Sequence, residues 1–431
     1  MSSLSQRSLV KDRGNGRNPV IAALDIGSSK VTCMISRRAD AFEGQPLVAG
    51  AGVQSTRGVR SGAAYDLEQL ERSIRLAVEQ AERAAGIRIE EVVVGVSGPD
   101  LRSDVVKARL PLGGREITQQ HVREAGKAAL DSFANTNRQV LHSALLGHAV
   151  DRTAGVRDPV GMYADSLTAS YLVVSAPVAG LRNILQCVSR AHLNPVSVTA
   201  APYAAGLACL VEDEAEQGAV VIDFGAGVTS AAAFSDGILR HIECLPMGGA
   251  WATSDLAQGW GTTFAAAERI KTVHGAVGFT DASPIEEVEA PRLGSDGRLE
   301  AAHCTRSELA EVLCPRYEEI FELIDARLSK ASSTGRPLPR RIVLTGGSAQ
   351  MTGLAELATD VFRAPVRIAK PANVRGLGET FSSPAFAAAA GLLRSELVGK
   401  LDTMRAGVDQ GSRGSGQGVL RRMAGWLQEN F

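Results

Sequence analysis

Asp25-Ile26-Gly27-Ser28-Ser29-Lys30 closes an apolar run at residues 20–24, and the chain repeats the device much later. The second copy is Asp223-Phe224-Gly225-Ala226-Gly227-Val228-Thr229, after the apolar run 219–222. A third glycine turn, Thr345-Gly346-Gly347-Ser348, follows the run 341–344. Short apolar runs bounded by turn residues read as buried strands. A strand that ends in a glycine turn presents backbone N–H groups at one point, and glycine lets the main chain approach a phosphate with no Cβ in the way. Two such turns opening with Asp point to two loops that clasp one polyphosphate, with Asp25 and Asp223 near its magnesium. The third turn is left for the base or sugar. Taken singly, Asp-x-Gly after a strand is more often an ordinary turn. Their joint occurrence carries the reading.

The first two turns also look like copies in their surroundings. Residues 21–29 lie over 220–227, and in each place two more strand-like runs follow, at 30–36 and 47–53 and again at 228–234 and 238–245. Two β-hairpin-rich halves facing each other across a cleft is the economical reading. Between them Leu67, Leu70, Ile74, Ala77, Val78 and Ala81 recur at helical spacing, and a strand follows at 92–96. Gly98-Pro99 breaks the pattern. Residues 99–176 then read as a compact insert, with strands at 105–112, 140–150 and 167–174 and a helix at 119–132. An amphipathic helix at 180–192 (Leu181, Ile184, Leu185, Val188) leads to a strand at 196–198.

The fold class expected is α/β: a two-lobed fold from a duplicated sheet-and-helix core. The first lobe takes residues 20–98 and 177–217 and is closed by an alanine-rich helix within about 376–398. The second takes 218–249 and 336–375, with its own insert at 250–335. Residues 1–19 read as a flexible tail and 399–418, rich in Gly, Ser, Gln and Asp, as a flexible linker whose reach scales as ~5–6 Å × √n.

At 431 residues the chain is long enough for lobes with substantial cores. A net charge of −1 gives no overall field to attract nucleic acid. The six cysteines are irregularly spaced without Cys-x-x-Cys, which argues for packed, reduced thiols and against a zinc site. No apolar run reaches the ~18–20 residues of a spanning helix. Arg7, Lys11, Arg13 and Arg17 stand among Gly and Asn with no hydrophobic stretch, so the first residues are not a signal peptide.

The three turns together resemble the two phosphate motifs and the adenosine motif of the actin, Hsp70 and sugar-kinase superfamily. Within it the chain resembles the FtsA family of bacterial cell-division proteins from about residue 20 to its end. The stretches that carry this are Pro246-Met247-Gly248-Gly249, Ser254-Asp255-Leu256-Ala257, Ala267-Glu268-Arg269-Ile270-Lys271-Thr272-Val273-His274-Gly275, Pro315-Arg316-Tyr317-Glu318-Glu319-Ile320 and Ile342 through Ala349. The resemblance implies an actin-like fold in which residues 99–176 form a small subdomain where actin has a different one elsewhere. It implies ATP and Mg²⁺ as ligands. Gly27, Ser28 and Ser29 would hold one side of the phosphates, and Gly225, Ala226, Gly227, Val228 and Thr229 the other, with Gly249 nearby. Lys30 would add a cation to the β- or γ-phosphate, although a lysine starting a strand at the surface fits equally.

Asp25 and Asp223 would bind Mg²⁺ through water, Asp223 being the candidate catalytic group that orients the attacking water. Gly346, Gly347 and Ser348 would open a helix beneath the nucleoside. Glu268 and Lys271, three apart on a helix after Gly261-Thr262-Thr263, would grip ribose and adenine; an exposed ion pair is the plainer alternative. One departure stands out. Hsp70-type ATPases carry a glutamate just before the proline of the segment Thr199-Ala200-Ala201-Pro202-Tyr203, and here that position is Ala201. Loss of a water-positioning acid costs on the order of 10²–10⁴ in rate. Tight ATP binding with weak or no hydrolysis is therefore expected.

Arg316 and Glu319, with Arg306, match the region where FtsA proteins bind the C-terminal peptide of the tubulin-like protein FtsZ; a plain helix-surface pair is again the alternative. At the chain's end, Leu420, Met423, Ala424, Leu427 and Phe431 share one helical stripe with Trp426 at its border, opposite Arg421 and Arg422. At ~1.5 Å per residue this segment, 419–431, is too short to span a bilayer and fits an interfacial helix for anionic lipids. The resemblance further implies self-assembly into filaments, later division proteins as partners, and a place at the division site on the cytoplasmic face of the inner membrane. A pilus-assembly adaptor, an MreB-type filament and a small-molecule kinase of the same superfamily are the rival readings.

Overall fold

Strand β1 (Val20–Ile26) runs into the first glycine turn and returns as β2 (Lys30–Arg37), antiparallel, with Val20 opposite Arg37 and Ile26 opposite Val31. β3 (Val48–Ser55) completes a meander. Helix α1 (Leu67–Ala85) covers β2 and β3 with Leu70, Ile74, Ala77, Val78 and Ala81 buried, the face its periodicity predicts. Asp66 caps it by accepting from Gln69 N–H, and Gly86, in the left-handed region, ends it. β4 (Glu91–Val96) then pairs parallel with β1. This computed structural model describes residues 20–37, 45–133, 137–278, 286–334 and 337–405. The tail at 1–19 and the terminal helix at 419–431 lie outside the described residues.

The insert contributes β5 (Arg102–Glu116), α2 (Gln119–Asp131), β6 (Arg138–Val150), β7 (Thr153–Val156) and β8 (Tyr163–Pro177). Its antiparallel sheet has the order β5-β8-β6-β7 and encloses, with α2, a small core of Leu112, Ile117, Ala125, Val150, Leu167 and Ala169. The strands outrun the apolar stretches that revealed them, because their exposed ends carry Arg, Lys and Gly. The chain returns through α3 (Val178–Arg190) and β9 (Asn194–Ala200), parallel to β4, then α4 (Ala201–Cys209) and the short α5 (Glu212–Gln217).

The second lobe repeats the plan. β10 (Ala219–Phe224), β11 (Thr229–Ser235) and β12 (Ile238–Leu245) form an antiparallel meander. Helices α6 (Gly249–Trp260), α7 (Phe264–His274) and α8 (Arg306–Thr334) follow. After them come β13 (Ile342–Thr345), α9 (Leu354–Phe362) and β14 (Val366–Ile368), and finally α10 (Ala387–Arg405). The two main sheets have the orders β9-β4-β1-β2-β3 and β14-β13-β10-β11-β12. In each, three antiparallel strands are extended by two parallel ones. Strands buried on both faces need the near-continuous apolar sequence seen at 20–24 and 219–222. Helix α8 presents Leu309, Leu313, Tyr317, Ile320, Phe321, Ile324 and Leu328 to the second-lobe core, while α4 and α10 pack together beside the first sheet.

One sequence expectation needs correction. Residues 399–405, expected to begin a linker, are helical, since α10 continues through Gly399 to Arg405, and 406–418 lie outside the described residues. A glycine inside a helix costs only about 1 kcal/mol against alanine and does not by itself end one. The third glycine turn opens a 3-10 helix of one turn, Gly347–Gln350, and α9 starts only at Leu354. Gly353 separates them at φ +81°, where a Cβ would stand 2.1 Å from Val277 O, so close docking on the end of the α7 segment breaks the run.

Candidate functional site

The two Asp-bearing turns are built alike. Gly27 N–H donates to Lys30 O at 3.0 Å, and Gly225 N–H donates to Val228 O at 3.0 Å. Asp25 and Asp223 occupy the same register, opposite Thr32 and Ser230. The turns meet across the interlobe cleft: a Cβ on Gly227 would lie 2.6 Å from Ser28 Oγ. In the second turn the carbonyls of Gly225 and Ala226 accept from the first N–H groups of α6, Gly249 at 3.0 Å and Ala250 at 2.8 Å. Ser348 Oγ also donates to Gly225 O, at 3.1 Å. With its carbonyls held this way, the turn leaves the N–H groups of Ala226 and Gly227 without a protein acceptor among the described residues. Such an edge is suited to an anion.

The cleft encloses about 500 Å³ and is lined by Asp25, Gly27, Ser28, Ser29, Lys30, Asp223 and 225–228, by Glu268 and Lys271, and by Gly346, Gly347 and Ser348, which lie against both groups. The structure thus gathers these residues into one cavity. Thr229 is buried just beneath, its hydroxyl donating to Met247 O at 2.8 Å, and Gly249 lies against Ser348 and Lys271. Gly346, at φ +92°, has no room for a side chain: a Cβ would fall 2.4 Å from Asp223 Oδ1.

Electrostatics divide the cleft. Burial pushes the Asp25 carboxyl up to about 7, helped by the charge of Asp223 and opposed by Lys30. Burial likewise raises Asp223 to about 6, again against Lys30. Lys30 is itself lowered by burial, and the two carboxylates restrain that shift. Its ammonium rests over the Phe386 ring at 4.1 Å. Two buried carboxylates close enough for Asp223 to raise Asp25, with one lysine near both, leave negative charge that a divalent cation would compensate. Among the described lining residues the carboxylates are Asp25, Asp223 and Glu268; Ala201, which heads α4, adds none.

Lys271 and Glu268 form an ion pair at 2.8 Å on α7, which Thr263 caps. Sequence reasoning missed two neighbours, Thr253 and Tyr317, and gave a third, Arg306, a different role. Thr253 of α6 touches both members of that pair. Tyr317 lines the floor, fully buried against Phe224 with ring centroids 5.3 Å apart, its hydroxyl unpartnered among the described residues. Arg306 sits at the cleft, paired with Glu286 at 2.9 Å.

Arg306 is therefore set apart from Arg316 and Glu319, which lie on α8 outside the cleft lining. Arg316 grips Asp255 of α6 through Nε at 2.5 Å and Nη2 at 3.1 Å, and also bonds Glu319. Its guanidinium lies 5.4 Å from the ring of the half-exposed Trp251. The membrane candidates Leu420, Arg421, Arg422, Met423, Trp426, Leu427 and Phe431 lie outside the described residues. Among the described residues no helix is long and apolar enough to cross a membrane.

The same architecture occurs in solved structures. The chain matches the PilM-PilN type IV pilus biogenesis complex with a TM-score of 0.61 at 17% identity, covering 88% of this chain and 98% of that one. It matches MreB 5 of Spiroplasma citri bound to AMPPNP with a TM-score of 0.52 at 12% identity, covering 90% and 99%. The fold is thus the two-lobed actin-like one. A family model for cell division protein FtsA matches residues 220–391, and one for the SHS2 domain inserted in FtsA matches 98–175. The chain is 39% identical over 423 residues to cell division protein FtsA of Rhizobium meliloti (strain 1021), covering 96% of each. It is 31% identical over 418 residues to that of Escherichia coli (strain K12), covering 96% of this chain and 98% of the relative. The chain belongs to the FtsA family of cell-division proteins.

Proposed function

We propose that this chain is an ATP-loaded filament protein that ties division filaments to the membrane. The observation that carries the nucleotide part is the pair of turns closed by the same hydrogen bond, with Asp25 and Asp223 buried in the same register beside them. Ser28, Ser29, Ala226 and Gly227 would cradle the phosphates, and Lys30 would add a cation. Asp25 and Asp223 would hold Mg²⁺ through water, and the ion would neutralise phosphate charge and set the orientation of its bound waters. That the MreB 5 neighbour is an AMPPNP complex of the same fold supports the reading. Ala201 at the head of α4 adds no acid to Asp25, Asp223 and Glu268 of the described lining, so hydrolysis would be weak or nil and the bound ATP would act as a structural ligand and state switch. Turnover near that of an ordinary metabolic enzyme, ~10 s⁻¹, would contradict this.

Residues 419–431 would lie in the membrane interface. Each large apolar side chain contributes at most ~1.5–3 kcal/mol, offset by the cost of folding so short a helix. One copy binds weakly; copies joined in a filament bind together through effective concentration. The Arg316–Glu319 patch beside Trp251 would receive the C-terminal peptide of FtsZ, with later division proteins docking elsewhere. The test is assembly: with Mg-ATP the full chain should form filaments on anionic lipid monolayers and phosphorylate no sugar or acid, and Trp426→Glu should abolish the lipid step. A chain that phosphorylates a small molecule and ignores lipid would refute the proposal.

A further inference from the structure

The Lys271 ammonium is 8% exposed and has three N–H donors. They go to Gly249 O at 2.9 Å, Thr253 Oγ1 at 2.8 Å and Glu268 Oε2 at 2.8 Å. All three are committed inside the protein, and none remains for a ligand. Thr253 is fully buried on α6, and its hydroxyl has a single proton. The oxygen accepts from Lys271, and the proton has two acceptors in reach, Glu268 Oε2 and Gly249 O at 3.0 Å. Gly249 O already receives Lys271, and the carboxylate is the stronger acceptor, so the proton belongs to Glu268.

Glu268 Oε2 then has two donors, while Oε1 has none among the described residues. The side chain is half exposed and lines the cleft, so Oε1 is the oxygen open to a ligand. It is an acceptor within a locally neutral pair. Such an atom suits a hydroxyl, not a phosphate.

We infer that Thr253 is a positioning residue. With Lys271 as an internal strut it fixes the Glu268 carboxylate so that Oε1 accepts from a ribose hydroxyl, and the site prefers ribonucleotides to 2′-deoxyribonucleotides. The inference rests on the nucleotide reading above and turns Lys271 from a ligand contact into a support. Gly249 belongs to the same frame: a Cβ there would lie 2.2 Å from Ser348 Oγ and 3.4 Å from Lys271 Nζ. The frame thereby reaches the third glycine turn.

Calorimetric titration of the full chain with Mg-ATP and with Mg-2′-deoxyATP tests it. The wild type should bind ATP about tenfold tighter or more, the scale of one hydrogen bond to a charged group. Thr253→Val and Thr253→Ala should cut that ratio below about threefold, and Thr253→Ser should keep it. A merely structural threonine would change affinity for both nucleotides and leave the ratio alone. Melting curves establish that each variant folds. Equal binding of both nucleotides by the wild type overturns the inference with no variant needed, as does an unchanged ratio in Thr253→Val and Thr253→Ala. A wild type that binds neither nucleotide overturns the nucleotide reading itself, and this inference with it.

Discussion

The two five-stranded sheets follow one layout, and their first turns are closed by the same hydrogen bond, Gly27 to Lys30 and Gly225 to Val228. The likeness ends at the strand that runs parallel beside each. After β4 the turn Ser97-Gly98 passes into the insert, whereas after β13 Gly346-Gly347-Ser348 folds into a 3-10 turn tied back to Gly225 by Ser348. The duplicated turns would form the phosphate end of the cleft, and the unduplicated turn packs against the second of them, with a Gly346 Cβ 2.4 Å from Asp223 Oδ1. A symmetric clasp alone would accept a polyphosphate in either direction. The asymmetry would give a bound nucleotide a direction.

The sharpest way to break this comparison is to substitute one glycine in the turn that follows each of these strands. Gly346→Val places a side chain at φ +92° against Asp223 and should cost on the order of 2–5 kcal/mol and remove nucleotide binding. Gly98, at φ +159°, is also strained by a side chain, but its Cβ would meet nothing nearer than Gly62 at 3.7 Å, so Gly98→Ala should cost about 1–3 kcal/mol of stability and leave nucleotide affinity of the folded protein within about threefold, read by titration. Equal damage from both would mean that the asymmetry is unimportant.

Next in size is the removal of one carboxylate from the phosphate end. Asp25→Asn should abolish the magnesium dependence of ATP binding, a loss of about tenfold or more on titration with and without Mg²⁺. It should also stabilise the ligand-free protein at pH 8. The sign follows from the direction of the shifts. Carboxyls held at about 7 and about 6 bind protons more tightly in the folded chain than in the unfolded one. Their contribution to stability is complete below about pH 4 and is lost as pH rises through 6 to 7. The melting temperature of the ligand-free protein should therefore fall between pH 5 and 8, and less steeply in Asp25→Asn. Affinity for Mg-ATP should rise over the same interval, because the cation displaces those protons.

Lys30→Met is expected to act least on the fold, since the ammonium makes a ring contact with Phe386 and no ion pair among the described residues. It should weaken ATP by about fivefold with little change in melting temperature. A large loss of stability instead would make Lys30 a structural counter-ion to Asp25 and Asp223.

The pair of turns was legible because each of its parts is local: an apolar strand, an Asp, a glycine turn, all within ten residues. The cluster around Glu268 was half legible. Glu268 and Lys271 share one helix and one face, but Thr253 reaches them only through the packing of α6 on α7. Tyr317 reads in sequence as one more apolar position of α8, and its place on the cleft floor depends on Phe224 across the core. The Arg316 pair with Asp255 spans 61 residues and has no periodic signature. The overrun of α10 was hidden by Gly399, which composition alone assigns to a linker.

Isothermal titration of the full chain with Mg-ATP at pH 7.5 bears most directly on the central claim. Saturable heat at one site per chain, lost in Gly346→Val, is the predicted result; no heat of binding in the folded wild type would contradict it.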